Sequence, residues 1–407
     1  MAIEDYVQSI PIPVPPQDIH PMSRMLLARC PVAHSDEDGG FWVVNRHADV
    51  LRVLQDSDGF ANGNRGVRVR HDPPGLERPP MPPIDSNKPQ HRRVREVMNP
   101  FFTPRALAAH EDAFRAIIGG LIDEFAADGQ CDIATQLAKK FPSQITCQEL
   151  LNVTDPAELD NLRHWNRRLS YDMYKADPQV LIGVQKQFEE WAYRLVARRR
   201  ASPGDDMVSA LIQATTPDGQ PLLTDEEVVG AIQITVSGGF STTADATCNI
   251  VVRLIEDPGL EPILREHPGL IPAAIEEVLR LDPPVLTRPR PATADIEVGG
   301  TLIRKNDRVL TNYLAANIDP DEWDRPDEFV IGRARNRLMT FSAGPHRCIG
   351  STMARMSLRI MLEELLARIT KPAYHPHQPV VRISTSPGGW RMVDSLPILF
   401  TPVAAGG

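Results

Sequence analysis

The chain has 407 residues, 42% hydrophobic and 24% charged, enough to bury a large core in a globular protein. A formal net charge of −9 argues against nucleic acid as a main partner, because binding phosphates needs a basic surface. The five cysteines (Cys30, Cys131, Cys147, Cys248, Cys348) are odd in number and unclustered, which excludes a disulfide framework and a CxxC metal knuckle.

A Pro-rich leader of about residues 1–20 carries acids and prolines where a secretory signal needs a basic start and an apolar run. No stretch approaches the roughly 18 apolar residues of a membrane helix, so no membrane partner and a cytoplasmic location are expected. "GGFWVVNRHADVLRVLQDSDGF" predicts a strand at Phe41–Val44 followed by a helix. The next stretch, "ANGNRGVRVRHDPPGLERPPMPPIDSNKPQ", is a Gly- and Pro-dense loop of the length that functional lids have. From about Arg105 to Arg200 helical periodicity dominates. Strand patterns come late, in "ADIEVGGTLIRKNDRVLTN" and "PVVRISTSPGGWRMVDSLPILF". With no repeat and no linker, the expectation is one mainly α unit with small β-sheets over residues 1–407.

The longest predicted helix starts at a capping box, Thr224 with Glu227, and stops at Asp257-Pro258-Gly259. About 30 residues at 1.5 Å each make it about 45 Å long. Its middle, "VSGGFSTTAD", is poor in helix formers, at a cost of about 1 kcal/mol per glycine. Such a patch marks either a close helix crossing at Gly238 and Gly239 or a groove where a ligand lies on exposed backbone; hydroxyls there compete for backbone carbonyls.

In "FSAGPHRCIG", Phe341 to Gly350, Cys348 precedes a run with Met353, Met356, Ile360, Met361 and Leu365 at helical spacing. The thiol thus sits at the start of a buried helix, where dipole and free N–H groups favour a thiolate. Gly344 and Gly350 leave room around the sulfur. A cysteine hydrolase needs an oriented base, which His346 is not, and zinc needs three or four ligands. A lone thiolate on a haem iron fits best, since haem needs one strong axial ligand.

"FSAGPHRCIG" resembles the haem-binding signature F-x-x-G-x-x-x-C-x-G of the cytochrome P-450 monooxygenases, at Phe341, Gly344, Cys348 and Gly350. "AAIEEVLRLDPPV" resembles the family's E-x-x-R pair, here Glu277 and Arg280, which is architectural. In "HRRVREVMNPFFTPRAL", His91 and Arg95 resemble the propionate contacts, with Arg290 in "RPRPATAD" and His346 as further ones; Arg92, Arg93 and Arg288 match none of these positions and read as surface charges. "GGFSTTAD" resembles the oxygen-binding groove, with Gly239 as groove glycine and Thr242 as its hydroxyl. Three departures stand out: Ser241 replaces the acid before the threonine, Ile318 the arginine of N-R-D-P, and "RKND" (Arg304 to Asp307) the usual Pro-Ala-Gly turn.

The resemblance implies the P-450 fold, with haem b between the long central helix and the helix after the cysteine loop. Cys348 would be the axial ligand. It implies a soluble, monomeric, bacterial-type monooxygenase that activates O2 with electrons from NAD(P)H, through a ferredoxin reductase and a ferredoxin. Hydroxylation or oxidative dealkylation of a hydrophobic small molecule follows. A peroxide-driven enzyme and a non-catalytic haem sensor are the rivals, and Thr242 speaks against both. Ser241, with water, would replace the acid; Asp245, four residues on, either feeds protons through that hydroxyl or pairs with a neighbouring element or solvent. Arg92, Arg93, Arg347 and Arg355 would form a basic face for the acidic donor. Substrate contacts are expected from residues 61–83, 171–182, 234–241, 285–287 and 386–390. Val285 and Leu286 imply an apolar compound, such as a terpenoid, steroid, fatty acid or aromatic acid. Arg65, Arg68, Arg70 and His71 form a solvated basic loop face.

Overall fold

Thr224 and Glu227 do form a capping box in the computed structural model, which describes residues 14–62, 75–172, 176–384 and 391–403. Glu227 N donates to Thr224 Oγ1 (3.2 Å) and Thr224 N donates to Glu227 Oε2 (2.9 Å). The helix they open is unbroken from Asp225 to Glu256, 32 residues and about 48 Å. In chain order the helices are α1 (Ile19–Arg29), α2 (His47–Gln55), α3 (Gln90–Met98), α4 (Pro104–Ala108), α5 (Glu111–Asp123), α6 (Phe141–Ile145), α7 (Pro156–Asn166), α8 (Pro178–Ala201), α9 (Met207–Gln213), α10 (Asp225–Glu256), α11 (Leu260–Glu266), α12 (Ile271–Leu281), α13 (Tyr313–Asn317) and α14 (Ser351–Arg368). The strands are β1 (Val32–Ser35), β2 (Phe41–Val44), β3 (Gln130–Asp132), β4 (Thr287–Pro291), β5 (Ile296–Val298), β6 (Thr301–Ile303), β7 (Arg308–Asn312), β8 (Ile369–Tyr374), β9 (Val381–Ser384), β10 (Arg391–Ser395) and β11 (Pro397–Pro402).

The largest sheet has the order β1-β2-β7-β4. Within it β2 runs parallel to β7 (Trp42 opposite Val309), although much of the chain separates them. A second sheet, β3-β11-β8, joins late strands to one from the first half of the chain, and β5-β6 and β9-β10 are antiparallel pairs. In the turn between β6 and β7, Asn306 adopts the left-handed conformation (φ 71°), which asparagine tolerates. Arg304 N donates to Asp307 Oδ2 (3.0 Å), so "RKND" closes a turn without the family's glycine. Ile318 is 3% exposed and packs with Leu281, Leu314 and Met22, an apolar solution at the position of the missing arginine.

α10 threads the core, packing against α6, α7, α8, α9, α12 and α14. Its residues from Val228 to Leu254 are mostly buried. Apart from Arg253 near its end, the less buried ones, Ile234, Ser237, Gly238, Gly239 and Thr242, recur at helical spacing and mark one stripe. That stripe faces a cavity of about 350 Å³. No helix among the described residues is long and apolar enough to cross a membrane.

Candidate active site

Cys348 closes its own loop. Its backbone N–H donates to Phe341 O (2.8 Å), Arg347 N to Gly344 O (3.1 Å), and Ala354 N to Gly350 O (2.8 Å) as α14 begins. Gly344 has φ 67°, and a Cβ there would lie 2.3 Å from Leu54 O, so this glycine serves the turn and its packing on α2. It does not border the cavity and does not make room at the sulfur, contrary to the sequence expectation; Phe341, Cys348 and Gly350 do border it. The sulfur is exposed, but into the cavity rather than to bulk solvent. Burial raises the thiol's pKa, while the Gly350 N–H and the charges of Arg95, Arg355 and Arg288 pull it down. The helix start therefore does not by itself make a thiolate; burial outweighs it.

The cavity wall carries Arg78, Arg95, Arg288, Arg290 and Arg347 with His91 and His346, and no Asp or Glu among the described residues. Buried cations need partners. Arg290 is 7% exposed and its guanidinium donates to the Pro289 carbonyl (2.8 Å). The Tyr313 hydroxyl borders the same cavity, buried and without a hydrogen-bond partner. The His91 and His346 rings lie 4.0 Å apart. Burial, then neighbouring cations, push His91 down to about 4 and His346 to about 2. A thiol facing an apolar slot with an acid-free cationic rim suits a planar dianionic cofactor, and haem fits it. Arg95, Arg288, Arg290, His91 and His346 would hold its carboxylates, and Tyr313 has an unused donor beside them.

His91 yields a direct check. Its folded pKa lies below the ordinary 6.5, so the cofactor-free protein should lose stability as pH falls from about 6.5 toward 4. There the unfolded chain binds a proton that the fold refuses. Adding haem should move the His91 titration, followed by NMR against a His91→Gln control, upward, because a carboxylate stabilises the imidazolium. An unmoved midpoint would take His91 out of the cofactor site.

Across the cavity, Thr242 Oγ1 donates to Gly238 O (2.8 Å). A Cβ at Gly238 would meet nothing within 4 Å, whereas one at Gly239 would lie 2.5 Å from Thr146 Oγ1. Both sequence readings are thus realised, one by each glycine. Gly239, named as the groove residue, is the close crossing against Thr146, and Gly238 leaves the open space. Ser241 does not itself border the cavity; its Oγ accepts from Asn166 Nδ2 (2.9 Å), and Asn166 does border it. Asp245 accepts from Val393 N of β10 (3.2 Å), and burial raises its pKa well above the ordinary value. Its partner is the β10 backbone, in keeping with the pairing alternative for Asp245 and not with a feed to Ser241.

A family model for cytochrome P-450 matches residues 264–380. Linalool 8-monooxygenase of Pseudomonas putida is 30% identical over 379 residues, 90% of this chain and 90% of its own. Erythromycin C-12 hydroxylase of Saccharopolyspora erythraea is 34% identical over 338 residues, 81% and 82% of the two chains. The chain belongs to the cytochrome P-450 family. A solved structure of a mutant P-450 EryK in complex with erythromycin B superposes with a TM-score of 0.85 at 30% identity, covering 96% of this chain and 98% of that one. This P-450 is an oxidoreductase with the fold expected from its sequence, mainly helical with small sheets.

Two of the P-450 sequence features stand apart from the cavity. Glu277 and Arg280 are buried, with Arg280 Nη2 donating to Glu277 Oε2 (2.9 Å) and Arg333 Nε donating to Glu277 Oε1 (2.7 Å). Arg280 also donates to the carbonyls of Asn317, Pro326 and Glu328 (2.8, 2.6 and 2.8 Å), a framework role. The proposed basic face is partly neutralised. Arg355 pairs with Glu276 (2.6 Å) and stacks on Phe341, and Arg92 pairs with Glu96 (2.8 Å). Arg288, read as a surface charge, lines the cavity instead.

Of the expected substrate regions, Asn62, Arg78, Met81, Pro83, residues 234–239 and Val285 border the cavity; the described part of 171–182 does not, and its place is taken by Leu169, Ser170 and Phe188, which lie outside the expected regions. Leu286 packs elsewhere, with Leu310 and Leu314. Arg65, Arg68, Arg70, His71, residues 386–390 and most of the leader lie outside the described residues.

Proposed function

We propose that this P-450 is a haem-thiolate monooxygenase with Cys348 as axial ligand, inserting one oxygen of O2 into a hydrophobic small molecule. When bound, haem supplies reductive O2 activation and C–H oxidation, and the protein supplies ligation, placement and proton handling. The observation that carries the reading is a cavity shared by the Cys348 thiol and the Thr242 stripe of α10, ringed by arginines and, among the described residues, lined by no other thiol and no acid. Met81, Ile84, Leu169, Phe188, Ile234 and Val285 form apolar walls suited to a hydrocarbon skeleton, for hydroxylation or oxidative dealkylation. Electrons would come from NAD(P)H through a ferredoxin reductase and a ferredoxin, with the chain acting as one monomeric unit in the cytoplasm.

Thr242 has the role of holding the reacting oxygen. Its hydrogen is committed to Gly238 O, so toward the cavity the hydroxyl presents an acceptor. Thr242→Ala removes it. Positioned proton-transfer groups are worth about 10²- to 10⁴-fold, and product per NADH should fall to the lower end of that range while hydrogen peroxide rises to match. The test is NADH, peroxide and product measured together, with ferredoxin and reductase present. Unchanged coupling in Thr242→Ala would remove the threonine from the mechanism. Product formed equally well from peroxide alone would favour a peroxygenase, and no turnover with any compound a sensor.

A further inference from the structure

Ser170, Asn166 and Ser241 form a buried string between α7, its continuation, and α10. Ser170 Oγ donates to Asn166 Oδ1 (3.2 Å) and Asn166 Nδ2 donates to Ser241 Oγ (2.9 Å). All three are at most 7% exposed, and Asn166 and Ser170 border the cavity beside Thr242. Hydroxyls in a helix ordinarily bond back to the carbonyl four residues earlier. Along α10, Thr235, Thr242 and Thr247 do so, to Ala231, Gly238 and Thr243 (2.8, 2.8 and 2.9 Å). Ser241 departs from that pattern, and its hydrogen bond comes from Asn166.

The direction of each bond follows from donor inventory. The amide oxygen is taken by Ser170 and the amide nitrogen can only donate, so Ser241 receives a bond and keeps its own hydrogen. No member of the string ionises near neutral pH. The acid next along α10, Asp245, is occupied by Val393 N, and Asp394 of the adjoining strand by Lys139 and Arg167.

Resting on the monooxygenase reading, we infer that Asn166 is a positioning residue for proton delivery, holding the Ser241 hydroxyl off its own helix so that its hydrogen stays available. Orientation there replaces the charge that a carboxylate would carry. Ser241 does not itself border the cavity, so it exchanges protons only with water that reaches the string where Asn166 and Ser170 border the cavity: it gives one proton and takes one back, so the string passes protons and stores none. Asn166 itself transfers nothing.

The test is a double-mutant cycle on the haem-loaded enzyme with ferredoxin and reductase. Asn166→Ala and Ser241→Ala should each lower product per NADH by about tenfold, less than a full general acid–base group is worth. The pair together should fall no further, because both remove one hydroxyl orientation. The infrared C–O stretch of the carbon monoxide complex should shift alike in both single variants. Asn166→Leu, which also lacks the donor, should repeat the result if the alanine variant folds poorly. Additive losses, or an Asn166 variant with unchanged coupling and C–O stretch, would overturn the inference. A wild-type protein lacking the thiolate spectrum would instead sink the monooxygenase reading, so the two failures are distinguishable.

Discussion

Cys348→Ala should abolish the thiolate spectrum of the reduced carbon monoxide complex while leaving the protein folded. Its sulfur is the only cysteine sulfur bordering the cavity among the described residues. Cys131, Cys147 and Cys248 are buried, and burial pushes their thiols up, Cys147 to about 12, so they are inert packing groups. Cys30 is half-buried and donates to Val32 O (3.4 Å). Serine at any of these four should therefore keep the spectrum. The apolar walls and arginine rim would still admit haem in Cys348→Ala, so cofactor content should fall less than the spectrum does. A retained thiolate spectrum in Cys348→Ala would refute the ligand assignment.

Glu277→Leu should prevent accumulation of folded, haem-loaded protein. Glu277 accepts from both Arg280 and Arg333, and Arg280 is fully buried. Its loss strands two cations at once. Breaking a buried pair costs about 3–5 kcal/mol, a large part of the roughly 5–15 kcal/mol that holds a protein folded. Arg280→Met should be milder with respect to charge, because Glu277 keeps Arg333, though three carbonyls lose their donor. Soluble yield and denaturant unfolding of the two variants would show the order; an Arg280→Met protein less stable than Glu277→Leu would mean that the carbonyl contacts, not the charges, dominate.

The features legible in the sequence were those written locally. The capping box at Thr224, the stop at Asp257 and the cysteine loop each lie within a few residues, and each forms as read, apart from the role of Gly344. The parallel pairing of β2 with β7 was not legible, because nothing near Trp42 names a partner as distant as Val309. Asn166 was missed for the same reason: "HWNRRLS" is an ordinary helical stretch until α7 packs on α10. Arg288 carried a signal that went unused. It stands two residues before Arg290 on β4, and side chains two apart share one face of a strand. For the thiol, the favourable N–H expected at the helix start is present at Gly350, but the opposing burial was not legible because it depends on everything packed around the sulfur.

The central claim, that this P-450 inserts oxygen from O2 through a Cys348-ligated haem, is tested most directly by heavy-oxygen labelling. Compounds that shift the haem absorption band would be turned over with ferredoxin, reductase and NADH under labelled O2. Each product molecule should gain one labelled oxygen atom, with the other appearing in water. Product carrying oxygen from unlabelled water, or formed at the same rate by Cys348→Ala, would contradict the account.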